Sequence, residues 1–228
     1  MSTVMALAQG LWMRGRIEML PPAAGPTSGR SGEGTQTLRI GILGESTAAG
    51  CGVDSHEDGF AGALARDLAG PDRAAEWTVV GQHGATARRI RHRLLPELGG
   101  EFDVVVLLAG ANDVMARRSP ADWGGDLGAI VSDLSERAGL VVVAGTPPFA
   151  AFPSLPRALA RYLAARAAAQ DDASRAVCAG IVNAEFVPSP PALVDDSFFS
   201  RDRFHPGAEG YRRWAELIAD GIAAVTAR

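Results

Sequence analysis

The chain has 228 residues, 47% of them hydrophobic and 21% charged, a composition that fits one well-buried globular domain and excludes a disordered or fibrous chain. Its formal net charge of −4 argues against nucleic acid as the main partner. All 22 basic residues are arginine, and the absence of lysine removes a phosphate-loop lysine, a kinase-type lysine and a Schiff-base lysine together.

The first patterned stretch, 4–13, is apolar but far short of the ~18 residues that span a bilayer. Val4, Ala8, Leu11 and Trp12 share one helical face, so it reads as a short amphipathic helix. Two roles fit it, docking on the domain or peripheral contact with a membrane, and docking is the favoured one. It lacks the basic leading region of a signal peptide. A cytoplasmic location is therefore expected, with membrane association as the alternative. Residues 21–34, rich in Pro, Gly and Ser, read as a linker. This division gives an N-terminal segment over 1–36 and one folded domain over 37–228.

From residue 38 onward, apolar runs alternate with helical patterns. Strands are expected at 38–43, 77–80, 104–108, 140–144 and 181–182, and helices at 60–68, 87–98, 120–137, 155–170 and 208–225. The central strands are continuous apolar runs, as parallel strands covered on both faces require. In the helix over 87–98, Ile90, Leu94 and Leu98 form an apolar stripe, and Arg88, Arg89, Arg91 and Arg93 a solvated face. The helix over 120–137 has the clearest start. Ser119 caps it, Pro120 suits its first turn and Asp122 completes a capping-box spacing. Trp123, Leu127, Ile130, Val131 and Leu134 are its buried stripe. The alternation predicts an α/β protein of three α/β/α layers, with a flavodoxin-like, doubly wound, five-stranded parallel sheet in the order 2-1-3-4-5.

Cys51 and Cys178 are too few for a disulfide framework and read as two buried free thiols. His56, His83, His92 and His205 are scattered without metal-ligand spacing, so neither a metal nor another cofactor is expected.

In open parallel sheets, ligands collect beyond the carboxyl ends of the strands, where strand order reverses. There this chain carries Gly44-Glu45-Ser46, then Gly81-Gln82-His83-Gly84, then Gly110-Ala111-Asn112-Asp113. Far along the chain, Asp202-Arg203-Phe204-His205-Pro206 sets a carboxyl one turn from an imidazole. A serine hydroxyl is a poor nucleophile until a base takes its proton, and an imidazole does so best when a carboxylate fixes its tautomer. Ser46, His205 and Asp202 are thus candidates for nucleophile, base and orienting acid. The Ser46 N–H, the Gly84 N–H and the Asn112 amide are candidate donors to a developing oxyanion. Blander roles compete: a helix cap for Ser46 or Asp202, turn chemistry for Asn112-Asp113, a solvated loop position for His83. The order 2-1-3 favours function, because it sets the three strand ends side by side. No Gly-x-Gly-x-x-Gly spacing and no Gly-x-Ser-x-Gly elbow competes at the serine.

These four blocks, in this order, resemble those of the SGNH (GDSL-type) serine hydrolases, esterases and lipases. The resemblance runs from the first strand to the last helix. It implies cofactor-independent hydrolysis of a small-molecule acyl ester, with Ser46, His205 and Asp202 as triad and Ser46, Gly84 and Asn112 as oxyanion hole. Lipid, aryl, thioester and carbohydrate O-acyl substrates all fall within its range, so a thioesterase or a carbohydrate O-deacetylase belongs to the same expectation. One departure stands out: the family usually has Asp before the serine, and this chain has Glu45. That departure motivates the alternative of a non-catalytic ligand-binding protein. Phe149 and Phe152, in the stretch 146–153 after the fourth strand, are expected to line an acyl pocket, with packing of the next helix as their competing job.

Overall fold

A computed structural model describes residues 5, 8–10, 18 and 20–227. Its strands are β1 (Ser28–Ser31), β2 (Gln36–Gly44), β3 (Arg73–Gly81), β4 (Phe102–Leu108), β5 (Ala138–Ala144) and β6 (Ala184–Val187). They form one sheet in the order β1-β3-β2-β4-β5-β6. β2 to β6 pair in parallel, and their order is the expected 2-1-3-4-5. The expected five-stranded, all-parallel sheet is corrected by β1, an antiparallel edge strand on β3. It lies in the stretch read as a linker. Ser-Gly-Arg-Ser has no apolar alternation to announce a strand; main-chain pairing makes it, helped by Arg30 bonding Glu76 of β3 at 2.6 Å. A short, charged strand is also a common way to close an edge against further pairing.

The helices are α1 (Phe60–Leu68), α2 (Ala87–Arg89), α3 (Ala111–Met115), α4 (Pro120–Ser135), α5 (Arg157–Ala179) and α6 (Ala208–Thr226). Successive strand residues feed opposite cores. Ile40, Ile42, Val104, Val106, Leu140 and Val142 join α1 and α6 on one face, where Phe60, Leu64, Trp214 and Ile218 are buried. Leu43, Val105, Leu107, Val141 and Val143 meet Ile90, Leu127, Ile130 and Leu134 on the other. Burial on both faces is why these strands are apolar without interruption. Each fully buried Val, Leu or Ile contributes roughly 1.5–3 kcal/mol relative to exposure.

α4 begins as expected. The Ser119 hydroxyl accepts the Asp122 N–H at 3.1 Å and donates to the Asp122 carboxylate at 2.6 Å. The expected helix over 87–98 is broken into α2, a π-helical turn over Ile90–Leu94 and a 3-10 turn over Leu95–Glu97. Pro96 has no N–H to continue an α-helical ladder, so the bonding pattern changes there. Ile90, Leu94 and Leu98 are nevertheless all buried. The fifth parallel strand is at Ala184–Val187, not at 181–182; Val182 is fully exposed in a turn. That displacement follows from α5, which runs nine residues past its expected end at 170. Its buried polar residues hide the continuation. Gln170 and Ser174 are almost inaccessible, yet both are hydrogen-bonded.

Val4, Leu11 and Trp12 of the expected N-terminal helix lie outside the described residues. Within them, the Gln9 side chain accepts the Leu159 N–H at the start of α5, and Leu20 is buried. No described helix is long and apolar enough to cross a membrane.

Candidate active site

β2 delivers Ser46 to the rim. Gly44 ends that strand against the Leu108 carbonyl, in space that a side chain would fill, and the Glu45 N–H donates to the same carbonyl at 2.9 Å. The chain then coils over 45–51, with Ala49 N–H bonding Glu45 O and Cys51 N–H bonding Ser46 O. Ser46 is left 8% exposed.

The loop before α6 supplies the other two groups. Asp202 Oδ1 accepts the N–H groups of Phe204 and His205 and the Ser200 hydroxyl, each at 2.9 Å. Arg203 takes a left-handed conformation (φ 56°) that lets the chain curl round the carboxyl. The free oxygen, Oδ2, lies 2.6 Å from Nδ1 of His205, and Nε2 of the same ring lies 3.0 Å from Ser46 Oγ. Burial alone would raise the Asp202 pKa. The hydrogen bonds from His205 and from two backbone N–H groups outweigh it and hold the carboxyl below its usual range. Asp202 is therefore ionised when it faces the ring, and a charged acceptor at Nδ1 leaves Nε2 to accept the serine proton.

The candidate oxyanion donors divide. Among the described residues, the N–H groups of Ser46 and Gly84 donate to no protein acceptor. The Asn112 amide is engaged: Nδ2 donates to Glu45 Oε2 at 2.7 Å and to the Ala85 carbonyl at 3.1 Å. Glu45, 3% exposed, also accepts the N–H of Ala111 at 3.2 Å and of Asn112 at 3.1 Å. Burial pushes its carboxyl up to about 7 against those bonds, and the nearby Asp113 adds to the rise. The glutamate thus ties the serine turn to the Asn112 turn, a span its extra methylene helps it reach.

Several further residues support the site: Gly110 and Asp113 belong to the third sequence block, whereas Gln170 and Asp171 carry no signal in the pattern. Asp113 is fully buried; it accepts the Ala87 N–H at 2.8 Å and meets Arg118 at 3.3 Å, and burial raises it to about 6. Gln170 donates to Gly110 O and Thr146 Oγ1, both at 3.0 Å. Gly110 itself has φ 124°, closed to other residues. The Asp171 carboxylate accepts the Thr146 N–H at 2.9 Å. His83, a half-buried loop residue, has its ring centroid 5.9 Å from that of His205. Burial lowers its pKa, and His205 lowers it further.

Beside Ser46 and His205 opens a largely apolar cleft. Phe149 and Phe152 line it, as do Leu193, Val194, Phe198 and Trp214. The two phenylalanines also pack against Leu155 and Leu159, beside the start of α5. Cys51 and Cys178 are free and buried.

Ser46, His205 and Asp202 thus stand in hydrogen-bonded series on the carboxyl rim of a doubly wound α/β/α sheet. Residues 42–213 match the GDSL-like Lipase/Acylhydrolase family, and the chain belongs to that family. It is 28% identical to the GDSL-like esterase Rv1075c of Mycobacterium tuberculosis, over 92% of this chain and 67% of that protein. The crystal structure of TesA is similar in fold, with TM-score 0.63 and 22% identity over 82% of this chain and 99% of that one. So is a lipase/acylhydrolase from Enterococcus faecalis, with TM-score 0.57 and 21% identity over 82% and 96%.

Proposed function

We propose that the protein hydrolyses acyl esters through a Ser46–His205–Asp202 triad. The observation that carries this reading is the unbroken series Ser46 Oγ, His205 Nε2, His205 Nδ1, Asp202 Oδ2, at 3.0 and 2.6 Å. Ser46 attacks the ester carbonyl while Nε2 takes its proton, and Asp202 stabilises the imidazolium that forms. The tetrahedral oxyanion is met by the Ser46 and Gly84 N–H groups, and by Asn112 once its amide turns from the Ala85 carbonyl. His205 then protonates the departing alkoxide, and in the second half-reaction it activates the water that releases the acid.

Ser46→Ala and His205→Ala should each lower kcat on an activated aryl ester about a thousandfold or more. Wild-type turnover by both variants overturns the assignment. A second reading, a ligand-binding protein without turnover, draws on the engagement of the Asn112 amide by Glu45 and Ala85. A fluorophosphonate probe separates the two, since it labels Ser46 only if that serine is activated.

A further inference from the structure

The cleft beside Ser46 is confined. Including its open mouth it encloses ≈ 510 Å³, but the part clear of its walls is only ≈ 30 Å³. The walls that confine it are held by the core. Phe149 is inaccessible, and Phe152, Phe198 and Trp214 are each within 6% of it. The Phe152 ring meets Phe149, Phe199 and Phe204 at centroid distances of 5.3, 5.0 and 5.5 Å, and Trp214 stands edge-on to Phe60 at 5.5 Å. Rings placed on several partners at once do not turn aside without disturbing those partners.

We propose that this slot restricts the enzyme to short acyl groups, with Phe198 and Trp214 as the specificity-determining wall. The inference rests on Ser46 being the nucleophile. An acetyl, propionyl or butyryl chain fits the space beyond the carbonyl. A longer chain must either leave its outer methylenes in water or displace an aromatic ring, and both weaken the transition state relative to the short ester.

The test is a panel of p-nitrophenyl esters from acetate to decanoate, which holds the leaving group constant, run on wild type, Phe198→Ala and Trp214→Leu. Wild-type kcat/KM is expected to fall at least about tenfold between butyrate and octanoate, and a folded variant is expected to move the optimum to longer chains. If both variants fail to fold, the wild-type panel still decides. A profile that is flat or rises toward octanoate overturns the inference, as does an unchanged profile in a folded variant. Labelling with ethyl and dodecyl fluorophosphonates separates this failure from that of the broader reading. Fast labelling of Ser46 by the ethyl probe and slow labelling by the dodecyl probe is expected. Equal rates overturn the length limit and leave the nucleophile in place, whereas labelling by neither removes both.

Discussion

Glu45 occupies the position where the site and the stability of the fold meet. Its buried carboxyl serves three donors from the Asn112 turn, and burial raises it from its ordinary 4.5 to about 7. Between those two values the folded protein keeps a proton that the unfolded chain has released. The resulting stability is full below pH ~4.5, declines as pH rises and is gone above about 7. Glu45→Gln should therefore flatten the pH dependence of the unfolding free energy between pH 5 and 8, by an amount on the order of 3 kcal/mol, read from urea unfolding curves. Parallel wild-type and variant curves would contradict this account. Such a role was not readable beforehand. The departure from Asp is visible in the sequence, but its partners are 66 and 67 residues away.

At the scale of elements, local chemistry was informative wherever it acted alone. α4 starts where Ser119, Pro120 and Asp122 place it, because a cap is a contact between near neighbours. Replacing Ser119 by Ala should cost about 1 kcal/mol, read as a lower urea midpoint at unchanged slope. A change in slope instead would mean that the helix end does more than cap. α5 shows the opposite case. Gln170, Asp171 and Ser174 look like a helix giving way to solvent, yet each is paired with a group on another element, Thr146 or Trp123. Hydrophobic periodicity does not register a buried polar residue whose partner comes from elsewhere, so the pattern stops α5 short and places β6 early. α3 escaped notice for a related reason: it is only five residues long, and two of them, Asn112 and Asp113, are chosen for their partners rather than for helix propensity.

The whole molecule is tied behind the site by a charged cluster. Arg118 bonds Asp113 at 3.3 Å and Asp126 at 2.7 Å, and Arg91 adds a third contact to Asp126. This joins α3, α4 and the π-helical turn to α2 through the Ala87 N–H. Removing the central cation leaves two poorly hydrated carboxylates facing one another. Arg118→Ala should cost about 3–5 kcal/mol at pH 8. The loss should shrink as pH falls toward about 6, because Asp113 without Arg118 takes up its proton at a higher pH than it does in the native protein. Melting curves at pH 5 and pH 8 check this, and an equal loss at both would remove the electrostatic explanation.

The amino-acid sequence alone determined the layers, the order of the parallel strands, and the four stretches that supply Ser46, Gly84, Asn112 and the Asp202–His205 pair. Those features depend on periodicity and on neighbours a few residues apart, which the chain carries wherever it folds. Tertiary structure decided the rest: the added edge strand, the extent of α5, the engagement of the Asn112 amide, and the aromatic wall that closes the cleft. Ser46 and His205 are 159 residues apart, and their 3.0 Å approach needs contacts between the serine coil and the helix after His205, such as the buried bond from the Tyr211 hydroxyl to the Cys51 carbonyl at 2.8 Å. The physical reason is one of range. A hydrogen bond or a ring contact between distant segments depends on chain closure, and no local pattern records which segments will be closed upon each other.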